Sequence, residues 1–301
     1  MSSSSRIVEF PTIDGTTLNG RLYSAGENRP CIIMTPGFSG LKEQFLFDFA
    51  LRFHKAGYTT LVYDNRNWGE SEGKIRNETD PLQSVHDYYD AFDYAASLPD
   101  VDSSKVVYWG SSLSGGVAIQ AAGVDKRISG VIAQSPFVSA EVQIDPATAP
   151  LVPALFQNRA AVRAGQQSTM LPVYPETIEE AKKGNANAIM QDPNVFSYID
   201  EAKRRGITQE RWVTAQTVLN IKHFEPKYFL HKISPTPLLM VVAEHDTTTS
   251  SESQLEAFEL AKKPKSVHVI KDVGHFEIYF GPAFEENIQV QLDFLKTTFA
   301  A

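Results

Sequence analysis

The side chains best suited to chemistry in this chain of 301 residues are a serine, an aspartate and a histidine, far apart and in that order. Ser112 stands in Val106-Val107-Tyr108-Trp109-Gly110-Ser111-Ser112-Leu113-Ser114-Gly115-Gly116. This is a short apolar run, a turn of very small residues, and then a helix through Val117-Ala118-Ile119-Gln120-Ala121-Ala122. A serine on such a corner has its hydroxyl held clear of the backbone. The helix N-terminus behind it offers unpaired N–H groups and a positive dipole end. Alone, the turn is as compatible with a serine capping a helix as with a nucleophile. The frame can also slide to centre on Ser114, in Ser112-Leu113-Ser114-Gly115-Gly116. Ser112 is preferred because Gly110 follows the strand directly, which puts the apex two residues later and Ser114 in the first helical turn.

A serine hydroxyl is a poor nucleophile at neutral pH. It needs a base within hydrogen-bond reach, and the base needs an acid that holds its tautomer and stabilises its charge. On an α/β sheet with a strand–turn–helix serine, acid and base come from loops after later strands, in the order Ser, Asp, His. Asp246, in Ala243-Glu244-His245-Asp246-Thr247-Thr248, lies just beyond the strongest apolar run of the C-terminal part and is the acid candidate. Glu244 and Asp272 compete with it, and a helix cap is the plain alternative. For the base the candidate is His275, in Lys271-Asp272-Val273-Gly274-His275-Phe276, in a short loop after the last strand. The other six histidines lack this placement: His54 and His86 fall in helices, His268 in a strand, His223 and His231 in or after an irregular segment, and His245 beside the acid. None of the seven makes a metal-ligand spacing such as His-Glu-x-x-His, so no metal and no cofactor are expected.

Acyl chemistry at a serine also needs two N–H groups aimed at the developing oxyanion. The backbone N–H of Leu113, the residue after the nucleophile, is one candidate. The N–H of Phe38, after Pro36-Gly37 at the end of an early strand, is the other; glycine there lets the loop approach closely.

These loops need elements to hold them. Residues 6–23 read as a hairpin turning at Asp14-Gly15. Strands follow at Pro30–Thr35, Thr59–Tyr63, 106–109, 128–133, 238–243 and 267–270. Helices are expected over Gln44–Ala56 with Gly57 as its C-cap, from Pro81 to about Leu98, over Ser251–Leu260 and over Pro282–Phe299. Alternating strands and helices imply a mostly parallel sheet covered on both faces, with all strand C-termini along one edge, where ligands bind. The rhythm breaks between Pro136 and Ser234. There Pro146, Pro150, Pro153, Pro172, Pro175 and Pro193 punctuate helical pieces at Thr177–Lys183, Pro193–Arg205 and Thr208–Ile221. Residues 136–234 are read as a helical cap inserted into a core of residues 1–135 and 235–301. An independent binding domain is the rival reading.

The composition is that of an ordinary globular chain, 42% hydrophobic and 21% charged. A net charge of −8 without any basic run argues against a nucleic-acid partner. One cysteine, Cys31, sits in the apolar run Cys31-Ile32-Ile33-Met34 and is expected to be a buried, inert thiol in a reducing compartment. With no apolar leader near Met1 and no segment of membrane-spanning length, the expectation is a cytoplasmic protein without a membrane partner.

With these residues assembled, the chain resembles the α/β-hydrolase superfamily along nearly its whole length. The resemblance rests on Pro36-Gly37-Phe38, on Gly110 to Gly116 around Ser112, on Glu244-His245-Asp246 and on Gly274-His275. It rests also on Asp64-Asn65-Arg66-Asn67-Trp68-Gly69-Glu70-Ser71-Glu72-Gly73, which is similar to this superfamily's loop after the fourth strand. The Trp109-Gly110-Ser111-Ser112 turn with Ser114-Gly115-Gly116, and the capped layout, resemble a fungal group of polyketide transferases and thiohydrolases. The resemblance implies acyl transfer. Ser112 would attack an ester or thioester carbonyl, His275 would take its proton, Asp246 would hold the imidazole, and Phe38 and Leu113 would form the oxyanion hole. The implied substrate is a small-molecule or carrier-bound acyl group. Apolar cap residues Leu151, Val152, Leu155, Phe156 and Trp212 suit a hydrophobic acyl chain, or an ordinary core. A homodimer stays open. So do lyase, cyclase or cofactor-free haloperoxidase chemistry on the same fold, and a non-catalytic binding protein.

Overall fold

In a computed structural model of the chain, describing residues 5–144, 148–184, 188–208 and 210–300, the strand-forming runs join one eight-stranded sheet. Pro146 and Ser2 to Ser4 lie outside the described residues. The chain opens with the expected hairpin: β1 (Ser5–Pro11) pairs antiparallel with β2 (Thr17–Tyr23), Ser5 opposite Tyr23. β3 (Arg29–Thr35), α1 (Leu46–Lys55), β4 (Thr59–Tyr63), α2 (Pro81–Ala96), β5 (Val101–Ser111), α3 (Leu113–Val124) and β6 (Gly130–Gln134) follow. The rhythm resumes with β9 (Leu238–Ala243), α10 (Ser251–Glu259), β10 (Lys265–Ile270) and α11 (Gly281–Ala300); β7, β8 and α4 to α9 lie between. Sheet order is β1-β2-β4-β3-β5-β6-β9-β10, parallel from β4 onward, with β2 antiparallel to β4.

Burial explains why these runs are strands. Every residue of β4, β6 and β9 is buried, as continuous apolar runs are when helices cover both faces of a parallel sheet. One face packs Tyr88, Val117 and Phe258 of α2, α3 and α10. The other packs Phe49 and Phe53 of α1 with Phe284, Ile288 and Leu295 of α11. The start of α2 follows from its first residues. Asp80 caps it by accepting from the N–H groups of Leu82 and Gln83, and Pro81 occupies a position with no helical N–H bond to make. Cys31 is fully buried, and burial pushes its thiol up to about 12, which removes it from thiolate chemistry at neutral pH.

The segment between β6 and β9 is a series of short elements. It holds α4 (Ala140–Gln143), α5 (Val152–Arg163), β7 (Met170–Pro172), α6 (Ile178–Lys183), α7 (Val195–Arg204), β8 (Trp212–Thr214), α8 (Ala215–Ile221) and α9 (Leu230–Ile233). One expectation needs correction. The run Thr208–Ile221 is a helix only from Ala215. Before it, Trp212–Thr214 pairs antiparallel with Met170–Pro172, and Gln209 lies outside the described residues. Thr214 decides the boundary: its backbone is extended and its hydroxyl accepts from the Thr217 N–H, so it caps α8. Among the described residues no helix is long and apolar enough to cross a membrane.

Register places the loops. Thr35 pairs with Gly110, Ser111 with Gln134, Gln134 with Val241 and Ala243 with Ile270. The C-terminal ends of β3, β5, β6, β9 and β10 therefore form one edge. The loops carrying Phe38, Ser112, Asp246 and His275 all leave from it.

Candidate active site

The corner at Ser112 is strained, as a sharp strand-to-helix turn requires. Its φ of 56° and ψ of −124° lie where L-residues are rare, directly before α3. The neighbours that hold it there are hydrogen bonds and close contacts. Ser112 N–H donates to the Gln134 carbonyl, and the Ser112 carbonyl accepts from Phe137 and Gly115. A side chain at Gly110 would put its Cβ 2.0 Å from the Ser114 carbonyl oxygen, so strand and helix can meet only over a glycine.

Ser112 Oγ lies 3.0 Å from His275 Nε2, and His275 Nδ1 lies 2.7 Å from Asp246 Oδ2. All three residues are buried. The candidate acid is held from several sides. Asp246 Oδ1 accepts from the N–H groups of Thr248 and Thr249, and Oδ2 accepts from Thr249 Oγ1 and Gln254 Nε2 as well as facing the imidazole. Burial alone would push this carboxyl up. The charge of His275 and the hydrogen bonds from His275 and Thr249 outweigh it and hold the carboxyl below its ordinary value, so it is ionised at neutral pH. The two rival acids are elsewhere. Glu244 pairs with Lys271 at 2.7 Å and accepts from the Asp272 N–H, on the outer side of the loop, and neither touches His275.

The Pro36-Gly37-Phe38 loop reaches Ser112. A Cβ on Gly37 would lie 2.9 Å from Ser112 Cβ, so only glycine allows this approach. The Leu113 N–H begins α3, and among the described residues neither it nor the Phe38 N–H has a protein acceptor. What aims the loop is a pair of donors on one carbonyl. Ser114 Oγ donates to the Pro36 oxygen at 2.5 Å and Asn65 Nδ2 donates to the same oxygen at 3.0 Å. Ser114, which stands where the usual motif has glycine, thus ties the elbow to the loop facing it.

Two further supports come from side chains whose purpose is silent in the sequence. Buried Lys42 donates from its backbone to Asp64 Oδ1 at 2.7 Å and from Nζ to Asp64 Oδ2 at 2.6 Å, with Glu70 2.7 Å away on the other side. The Asp64-to-Gly73 loop is thereby bolted to the Phe38 loop. Behind Ser112, Tyr279 shares a 2.5 Å hydrogen bond with Ser111 Oγ, which also accepts from Gln134 Nε2. Gln134 in turn accepts from Asn287 and Gln291, and Gln291 accepts from Trp109 Nε1. Burial pushes the Tyr279 hydroxyl up to about 12, so it stays neutral. This chain joins the turn after His275 to the strand before Ser112. The threonine run after Asp246 was the one visible signal for Thr249; nothing in the sequence marks Gln134, Asn287 or Gln291.

Comparison with known proteins agrees with this architecture. A family model described as serine aminopeptidase, S33, matches residues 26–280. A thiohydrolase of Eupenicillium brefeldianum is 34% identical over 291 residues, covering 96% of this chain and 93% of the relative. A polyketide transferase of a Penicillium species is 33% identical over 289 residues, covering 96% and 95%. The crystal structure of the α/β hydrolase GrgF from Penicillium sp. sh18 superposes with a TM-score of 0.88 at 32% identity, over 99% of each chain. The chain therefore belongs to the serine aminopeptidase S33 family of α/β-hydrolase enzymes, and its similar relatives include fungal thiohydrolases and polyketide transferases.

Proposed function

We propose that this enzyme cleaves a carboxylic ester or thioester through an acyl-serine on Ser112 and passes the acyl group to water or an alcohol. One observation carries the assignment: a buried serine hydroxyl 3.0 Å from an imidazole whose other nitrogen is 2.7 Å from an ionised carboxylate. In this reading His275 Nε2 takes the Ser112 proton as Oγ attacks the carbonyl carbon. Asp246 keeps Nδ1 protonated and stabilises the imidazolium. The N–H groups of Phe38 and Leu113 receive the oxyanion. The leaving thiolate or alkoxide then takes the proton from His275, and the acceptor reverses these steps. Residues 136–234 serve as a cap: their Tyr174, Met190 and Tyr198 line the space above Ser112. The acyl donor in this reading is a free or carrier-bound polyketide-type chain, as the names of the relatives suggest, in a reducing cytoplasmic setting that suits the lone buried thiol of Cys31.

The test is intact-protein and peptide mass spectrometry after mixing with a p-nitrophenyl ester. The expected result is an acyl adduct on Ser112 and a loss of turnover of about 10⁶-fold in Ser112→Ala. Near-full activity in that variant, or an adduct on Ser114, sinks the assignment.

A further inference from the structure

Two pockets meet at Ser112, and they differ in chemistry. The first is walled by His275 together with Tyr174, Tyr198, Tyr279, Phe276 and Gln44. The second is walled by Leu113, Phe137, Ile144, Ile189 and Ile221. Phe38, Met190 and Ser112 border both. His275 lines the first pocket and is not among the residues that line the second.

That asymmetry has a stereochemical consequence. In acyl transfer the base exchanges protons with the nucleophile, the leaving group and the acceptor, but never with the acyl chain. The leaving group departs, and the acceptor arrives, on the side of the carbonyl carbon where the imidazole stands. The acyl substituent must occupy the other side. Building on the acyl-serine reading above, we propose that the isoleucine-lined pocket is the acyl site and takes an aliphatic chain. The tyrosine-lined pocket beside His275 is then the leaving-group and acceptor site, and it takes a hydroxyl compound with a flat, conjugated ring.

The walls fit these contents. Three isoleucines with Phe137 and Leu113 offer apolar contact, and the second pocket's polar side chains are Ser112, Thr248 and Thr249 alone. The ring of Tyr198 already packs against those of Phe276 and Tyr279, with centroids 5.6 Å and 5.3 Å away. A flat ring can add to that cluster edge-to-face or offset-stacked. Both pockets are narrow, with room for a few water molecules each, so side chains at their mouths must yield to a longer substrate. Met190, unbranched and shared by both walls, is suited to yield. The acceptor O–H gives its proton to His275 Nε2 as its oxygen bonds to the carbonyl carbon. The carbon–Oγ bond to Ser112 then breaks, and Oγ regains the proton from His275.

The experiment uses the full-length enzyme with p-nitrophenyl acetate and octanoate, and benzyl alcohol and cyclohexylmethanol as competing acceptors. Both altered isoleucines are only partly buried, and folding of each variant is checked by circular dichroism. Ile144→Phe lowers, and Ile189→Ala raises, the octanoate-to-acetate ratio of kcat/KM by about tenfold, without changing the ratio of benzyl ester to free acid formed. Tyr174→Ala does the reverse: the chain-length ratio stays within about twofold, while capture by benzyl alcohol over cyclohexylmethanol falls about tenfold. A chain-length ratio that follows Tyr174, an acceptor ratio that follows Ile144 and Ile189, or equal capture of the two alcohols by the unaltered enzyme overturns the assignment while leaving the acyl-serine intact. No acyl adduct on Ser112 overturns the acyl-serine reading, and this assignment with it.

Discussion

At the scale of single residues, Ser114 joins two parts of the site that the sequence separates by more than seventy positions. Its hydroxyl and the Asn65 amide both donate to the Pro36 carbonyl, which sets the orientation of the next peptide and so of the Phe38 N–H. Restoring the common glycine with Ser114→Gly is therefore not neutral. We expect Ser114→Gly and Asn65→Ala each to lower kcat about tenfold, and the double variant by less than the product of the two because both hold one carbonyl, with KM nearly unchanged, since in the proposed reading a misplaced oxyanion donor costs in the transition state alone. Steady-state kinetics on one ester checks this; a rise in KM at constant kcat would assign Ser114 to substrate binding instead.

Among the elements, the loop from Asp64 to Gly73 is tied to the loop carrying Phe38 by the buried charge pair of Asp64 with Lys42. The Lys42 side chain is 4% exposed and that of Asp64 1% exposed, whereas Glu70 is 59% exposed. Removing one partner of a buried pair strands the other in low dielectric, so Asp64→Asn is expected to cost about 3 kcal/mol in urea unfolding. Glu70→Gln should cost about 1 kcal/mol or less, because water already screens that pair. Equal costs for the two variants would show that burial does not govern the Lys42 contacts. The same comparison tests whether this loop braces the Phe38 loop: a folded Asp64→Asn enzyme should also lose kcat.

For the whole molecule, the candidate acid couples acid stability to the site. The folded-state carboxyl of Asp246 titrates below its ordinary 3.8. A depressed value means that its ionised form contributes stability above the unfolded value, and that this contribution is lost as pH falls through the folded one. The difference in unfolding free energy between the unaltered protein and Asp246→Asn should be constant near neutrality and shrink below pH 3.8. Urea melts followed by circular dichroism across that range measure it; a stability of the unaltered protein relative to Asp246→Asn that instead rises as pH falls from neutrality toward 3.8 would mean that burial, not His275 and Thr249, dominates this carboxyl.

Most of the fold is legible in the sequence, because apolar runs such as Leu238 to Ala243 and turn residues such as Asp14-Gly15 act locally. A two-sided parallel sheet also leaves its loops only one edge to share. For the same reason Ser112, Asp246 and His275 could be singled out by type, order and position after a strand. The helix expected over Thr208–Ile221 failed where local signals conflict: pairing with Met170–Pro172 takes Trp212 to Thr214 into a strand, and Thr214 then caps what remains. The second rank of the site was not legible. That Lys42 meets Asp64, that Ser114 and Asn65 share the Pro36 carbonyl, and that Gln134, Asn287 and Gln291 form a buried chain behind Ser111 are contacts across long sequence separations. No periodicity encodes them, because a hydrogen bond between distant side chains depends on where two backbones lie rather than on what surrounds either residue along the chain. The sequence by itself determined which groups could do acyl chemistry and on which edge of the sheet; only the tertiary structure decided what holds those groups in line and which side of Ser112 is apolar.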